Sequence, residues 1–188
     1  VIKEKRSRGD LMPLSETIRI ALGIGRALAY AHKQGVLHRD IKPANVMLNQ
    51  DQRVVLTDFG LAKILSGPQF TTTGAMVGTP AYMAPEQGIG QPGDIRSDIY
   101  SMGVVLYQLT TGRLPFVAET PLAIVFKHVN APLPLPRAIN AEIPKRLEDI
   151  IVKALAKAPE DRYQIVDSLL EELARVEVNE GDIPRRPN

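Results

Sequence analysis

Cysteine and tryptophan are both missing from the 188 residues, and aromatic residues make up only 5%. Without cysteine the chain has neither disulfides nor thiolate metal sites, which suits a cytoplasmic setting. Long apolar runs are missing too. The most apolar stretch, Ile99 to Leu109, is broken by Tyr100, Ser101, Gly103, Tyr107 and Gln108, so no segment reads as a membrane span. The opening residues, with Lys3, Glu4, Lys5, Arg6 and Arg8, lack the apolar centre of a signal peptide. No charge of one sign dominates: 23 Lys and Arg face 21 Asp and Glu, for a net charge of +2, which argues against a nucleic-acid partner. The chain opens on Val1 without an initiator methionine, as a piece of something longer would. What is present is ordinary for a folded domain with a sizeable core, at 44% hydrophobic and 23% charged residues.

The stretch from His38 to Gly60 gathers chemistry. It runs His38-Arg39-Asp40-Ile41-Lys42-Pro43-Ala44-Asn45, then Val46-Met47-Leu48, a polar turn over Asn49-Gln50-Asp51-Gln52-Arg53, Val54-Val55-Leu56, and Thr57-Asp58-Phe59-Gly60. The two short β-branched runs predict a hairpin, which brings the residues before its first strand close to those after its second. Asp40, Lys42, Asn45 and Asp58 are then expected in one small volume. Two carboxylates, an amide and an ammonium suit phosphoryl transfer, which needs a group to orient the attacking hydroxyl, hard oxygen ligands for magnesium and a cation for developing charge.

The rest of the chain reads as mainly α, within an α+β class. Ser15 is the expected N-cap of a first helix carrying Ile18, Leu22, Gly25 and Ala29 on one side, with Gly35 at its C-terminal end. Gly23-Ile24-Gly25 has no strand before it and is assigned to close helix packing. Residues 63–79 are rich in Gly, Thr and Ser, and a stretch of this length without structure usually has a function. From Asp98 to Thr110 the pattern is apolar nearly all round, predicting a buried central helix stopped by Gly112. Thr120 and Pro121 start another helix, with His128 at its far end as a cation favoured by the helix dipole. Residues 131–136 are expected to be extended, 144–155 and 165–176 to form amphipathic helices, and 179–188 to be a polar tail.

The order H-R-D-x-x-x-x-N, then Asp58-Phe59-Gly60, then Ala84-Pro85-Glu86, Asp98 and Arg162 resembles eukaryotic-type serine/threonine protein kinases, and most closely their bacterial signalling members. The resemblance implies the carboxy-terminal lobe of a kinase catalytic domain over residues 1–178, a helical bundle around a buried central helix with small β-hairpins. It implies ATP as phosphoryl donor and Mg2+, or Mn2+ in its place, as cofactor. By the same resemblance Asp40 is the catalytic base and Lys42 neutralises the transferring group. Asn45 and Asp58 hold the metal, and Met47 floors the adenine pocket. Thr71 and Thr73 become regulatory phosphorylation sites with Arg39 as their arginine partner. Thr79 bonds near Asp40 and Lys42, His38 packs and hydrogen-bonds, Glu86 pairs with Arg162, and Asp98 caps its helix while holding the catalytic loop's backbone.

The family's glycine-rich loop, its strand lysine and the glutamate that pairs with it have no counterpart in the 37 residues before His38. Two readings follow. In one, the chain is the catalytic lobe of an enzyme, inactive alone and completed by its own amino-terminal lobe. Its partners are then protein substrates and a second kinase copy for autophosphorylation, with room for a membrane anchor outside these residues. In the other, it is a non-catalytic kinase-like module that binds proteins.

Overall fold

The computed structural model describes residues 11–59 and 80–177. Seven helices and one hairpin follow one another among them: α1 (Leu14–Lys33), β1 (Val46–Leu48), β2 (Val54–Leu56), α2 (Pro85–Gly88), α3 (Ile95–Thr111), α4 (Pro121–Asn130), α5 (Pro136–Ile139), α6 (Lys145–Ala154) and α7 (Val166–Leu173). Single 3-10 turns at Pro43–Asn45, Pro80–Tyr82 and Pro159–Asp161 each begin on a proline, whose fixed φ suits a helical first position.

Helix α3 is the centre of the lobe. Every residue from Ser97 to Thr111 is buried, as the nearly all-round apolar pattern demands, and α1 and α6 pack against it. It begins three residues before the expected Asp98. The N-cap is Asp94, whose side chain accepts from the Arg96 amide, while the Ser97 hydroxyl accepts from the Asp94 amide. Asp98 therefore lies a turn inside and is not the cap. Gly112 ends the helix at φ 73°, a left-handed conformation that glycine adopts at little cost.

Helix α1 fixes the hairpin on one side and α7 on the other. A Cβ on Gly23 would sit 2.6 Å from the Cβ of Val54, and one on Gly25 would sit 2.5 Å from Cδ2 of Leu170. The glycine pair thus serves close packing, as read from the sequence. The helix begins at Leu14, so Ser15 is a first-turn residue and not the cap. Pro13 precedes the helix at ψ 141°, and its carbonyl accepts from the Thr17 amide.

The hairpin is antiparallel, with Val46 opposite Leu56, Met47 opposite Val55 and Leu48 opposite Val54. Its turn is tied by the Asn49 side chain, which accepts from the Arg53 amide at 2.8 Å. Val46 and Leu56 point into the core, leaving Met47 and Val55 on the outer face. The α2 and α5 helices are one turn each and were not legible as helices; α5 closes the proline-rich stretch that was expected to be extended throughout.

Candidate active site

Four of the residues singled out in the sequence surround the base of the hairpin. The Lys42 ammonium lies 2.8 Å from Oδ2 of Asp40, and both side chains are about a quarter exposed, at 24% and 22%. The Asn45 amide nitrogen donates to the Asp40 carbonyl at 2.8 Å and to Asp40 Oδ2 at 3.2 Å. Pairing of the strands then carries the chain back, so that the Thr57 amide donates to the Asn45 carbonyl at 3.0 Å. Asp58 follows directly. Its side chain is exposed, and its φ of 56° is a left-handed conformation that a short polar residue tolerates better than most.

The backbone carrying Asp40 is held from beneath by α3. Asp98, 1% exposed, accepts from the His38 amide at 2.9 Å and from the Arg39 amide at 2.8 Å, and its Oδ2 lies 2.9 Å from Nε2 of His32. Arg39 has φ 64°, a conformation worth roughly 1–3 kcal/mol of strain in a non-glycine residue. Two consecutive amides clamped by one buried carboxylate are what keep it there. His38 is fully buried between the two arms: Nε2 donates to the Thr57 carbonyl at 3.0 Å, Nδ1 accepts from the Asp40 amide at 3.3 Å, and the ring packs 4.6 Å from that of Phe59. One imidazole thus ties the Asp40 arm to the Asp58 arm. Met47, 51% exposed, lies on the outer face of the hairpin beside them.

Glu86 and Arg162 lie apart from this cluster and join the far end of the chain to α2. They form a bidentate pair at 2.9 and 2.8 Å, and the Ser97 hydroxyl donates to Glu86 Oε1 at 2.6 Å. Burial pushes the Glu86 carboxyl up, but the bonds from Arg162, Ser97 and its own backbone overcome this and hold it below its ordinary value. Arg162 also donates to the carbonyls of Ala156, Lys157 and Arg96, so a buried charge is fully engaged. Thr71, Thr73 and Thr79, together with Gly60, lie outside the described residues.

A further expectation is overturned. His128 is not a cation at a helix end: it is 1% exposed, its Nδ1 lies 2.8 Å from the Tyr100 hydroxyl, and its Nε2 lies 3.1 Å from the Ala81 carbonyl. Burial and the nearby Lys157 charge push its pKa down to about 4. Tyr82, Ser101 and Gln108 form a further linkage that no local pattern assigns a role. Ser101 donates to the Tyr82 carbonyl at 2.7 Å, and the Tyr82 hydroxyl donates to Gln108 Oε1 at 2.7 Å. The signal available was the set of polar residues interrupting an otherwise apolar helix.

The family model described as protein kinase domain matches residues 2–173. A probable serine/threonine-protein kinase of Clostridium acetobutylicum is 43% identical over 178 residues, covering 95% of this chain and 27% of that protein. Another, from Streptomyces coelicolor, is 44% identical over 89% of this chain and 25% of its own length. Serine/threonine-protein kinase PknB of Mycolicibacterium smegmatis is 40% identical over 182 residues, covering 95% of this chain and 28% of its own. The chain spans about a quarter of the length of these curated relatives. Its sequence, its helical architecture and the arrangement around Asp40 agree: the chain belongs to the protein kinase domain family.

Proposed function

We propose that this chain is the substrate and metal half of a bacterial-type serine/threonine kinase, transferring the γ-phosphoryl group of ATP to protein hydroxyls once a nucleotide-clamping lobe is joined to it. The observation that carries the reading is the Asp40–Lys42–Asn45 cluster beside Asp58, polar and part-open where the surrounding lobe is closed. Asp40 accepts the hydrogen bond of the acceptor hydroxyl, orients its oxygen and takes its proton as the new O–P bond forms and the bond to the nucleotide's bridging oxygen breaks. Lys42 offsets charge on the transferring group from the same side. Asn45 uses its amide nitrogen inward on Asp40, which leaves its amide oxygen, with the Asp58 carboxylate, as the hard donors. That donor set fits Mg2+, which is held by one or two protein oxygens together with phosphate oxygens and waters. Held there, Mg2+ would supply positive charge to offset that of the nucleotide's phosphates. Met47, outward on β1, offers an apolar floor for the nucleotide base.

The same reading covers regulation and setting. Thr71 and Thr73 are phosphorylated by a second copy, Arg39 pairs with the phosphate, Thr79 is not phosphorylated, and the site works in the cytoplasm. Phosphopeptide mapping after autophosphorylation checks this: label on Thr71 and Thr73 supports it, and label on Thr79 contradicts it.

The reading of the site is tested in the natural polypeptide that carries these residues. Asp40→Asn should lower transfer by about a thousandfold or more and leave nucleotide affinity within about twofold. Asp58→Asn should weaken metal-dependent nucleotide binding as well. Transfer that survives Asp40→Asn would favour a kinase-like module that only binds proteins.

A further inference from the structure

Helix α3 holds two things within one turn of its length. Asp98 grips the amides of His38 and Arg39, and Ser101, one turn on, donates to the carbonyl of Tyr82. The loop of Asp40 and the 3-10 turn Pro80–Tyr82 are therefore both anchored to the same stretch of helix.

Three side chains from two helices fasten the turn. Ser101 takes one carbonyl, Gln108 takes the Tyr82 hydroxyl, and His128 from α4 takes the carbonyl of Ala81. The last is the unusual one. A carbonyl oxygen can only accept, so Nε2 of His128 carries the proton, and Nδ1 must accept from Tyr100. Tyr100, fully buried in α3, supplies that hydrogen bond, and the Phe116 ring stands edge-on 4.9 Å from the imidazole. Lys157 closes the far side: its Nζ donates to the His128 carbonyl at 2.6 Å and lies 4.4 Å from the centre of the Phe116 ring. Burial and the Lys157 charge keep the imidazole neutral, and burial keeps Tyr100 a phenol.

We propose that Tyr100 and His128 form a positioning relay for the acceptor side of the site: the Tyr100 hydroxyl selects the Nε2–H tautomer of His128, which anchors the Ala81 carbonyl and sets the Pro80–Tyr82 backbone on the helix that also anchors the Asp40 loop, where the acceptor protein's chain is received. The proposal rests on the kinase reading, and it adds two residues that touch neither nucleotide nor reacting atoms. Its consequence is selective. Loosening the turn misplaces the acceptor without altering the Asn45 and Asp58 donors.

Two measurements test it. Nitrogen-15 spectra of His128 in the 188-residue chain at pH 7 should show a protonated Nε2 and a bare Nδ1, and Tyr100→Phe should produce a mixture of tautomers. A wild-type spectrum with the proton on Nδ1 overturns the relay, as does a Tyr100→Phe spectrum unchanged from wild type. In the natural polypeptide, His128→Phe should raise the acceptor-protein KM about tenfold, with kcat and the ATP KM within about twofold. His128→Gln, whose amide still donates towards Ala81, should recover most of that loss. Should His128→Phe fail to fold, Tyr100→Phe carries the same kinetic expectation at a smaller size. An unchanged acceptor KM, or an ATP KM that rises in step with it, overturns the positioning role. A wild-type protein that transfers nothing removes the kinase reading and the acceptor half with it, while the tautomer still decides the hydrogen-bond relay.

Discussion

Asp98 and Asp58 are the same residue under opposite conditions. Asp98 is 1% exposed and its carboxylate is met by two backbone amides and an imidazole, all from the protein. Asp58 is exposed, sits on left-handed backbone, and among the described residues takes one long contact of 3.5 Å from the Thr57 hydroxyl. A carboxylate saturated by its own chain holds structure; one left open at the mouth of a hairpin can serve something that arrives. Glu86, locked by Arg162 and Ser97, and Asp40, bonded to Lys42 and Asn45 yet still about a quarter exposed, differ in the same direction. On the kinase reading proposed above, stability belongs to the closed set and chemistry to the open one.

The largest test of that division is at the closed end. Glu86→Ala leaves the Arg162 guanidinium buried without its carboxylate, and chemical denaturation should show a loss of about 3–5 kcal/mol. Next comes the acid limb of stability. His128 has its folded-state pKa lowered from 6.5 to about 4, so below pH 6.5 the unfolded chain takes up a proton that the folded one refuses. Stability should therefore be unaffected above pH 6.5 and fall as pH drops from there towards 4, by on the order of 3 kcal/mol for this residue. His128→Gln should flatten that stretch of the curve. The Glu86 carboxyl, depressed in the folded state, adds its own loss only lower, as pH falls below 4.5.

Smaller effects sharpen the contrast. Gly35 ends α1 at φ 72° with open space around it, so Gly35→Ala isolates the backbone cost, about 1 kcal/mol by thermal unfolding. Smallest of all should be Asp58→Asn, within about 0.5 kcal/mol of the parent, since the side chain is exposed and asparagine tolerates the same backbone.

The pattern of these residues explains what could be read beforehand. The Asp40–Lys42–Asn45 loop and the hairpin were legible because both depend on neighbours within a few residues: the 46–48 and 54–56 runs pair directly across a five-residue turn. The central helix was legible because an apolar surface on all sides admits only burial. Its start was misplaced by three residues, because Asp94 and Asp98 are both plausible caps, and only the path of the loop through His38 and Arg39 assigns Asp98 to another duty. His128 was misread for the same kind of reason. Its partners Ala81 and Tyr100 lie 47 and 28 residues away, and no local pattern announces that they meet. Packing of Gly23 and Gly25 was legible as a need for closeness, though not which side chains, Val54 and Leu170, would fill it.

The division between closed and open carboxylates is tested most directly by comparing Asp98→Ala with Asp40→Asn in the natural polypeptide, measuring unfolding free energy and phosphoryl transfer on the same samples. Asp98→Ala strands three donors and should cost about 3 kcal/mol or more, taking activity down with the fold. Asp40→Asn should keep stability within about 0.5 kcal/mol while transfer falls about a thousandfold or more. If Asp40→Asn instead lowers stability as much as Asp98→Ala and the folded fraction still transfers phosphate at the parent rate, Asp40 belongs to the structural set and the account is wrong.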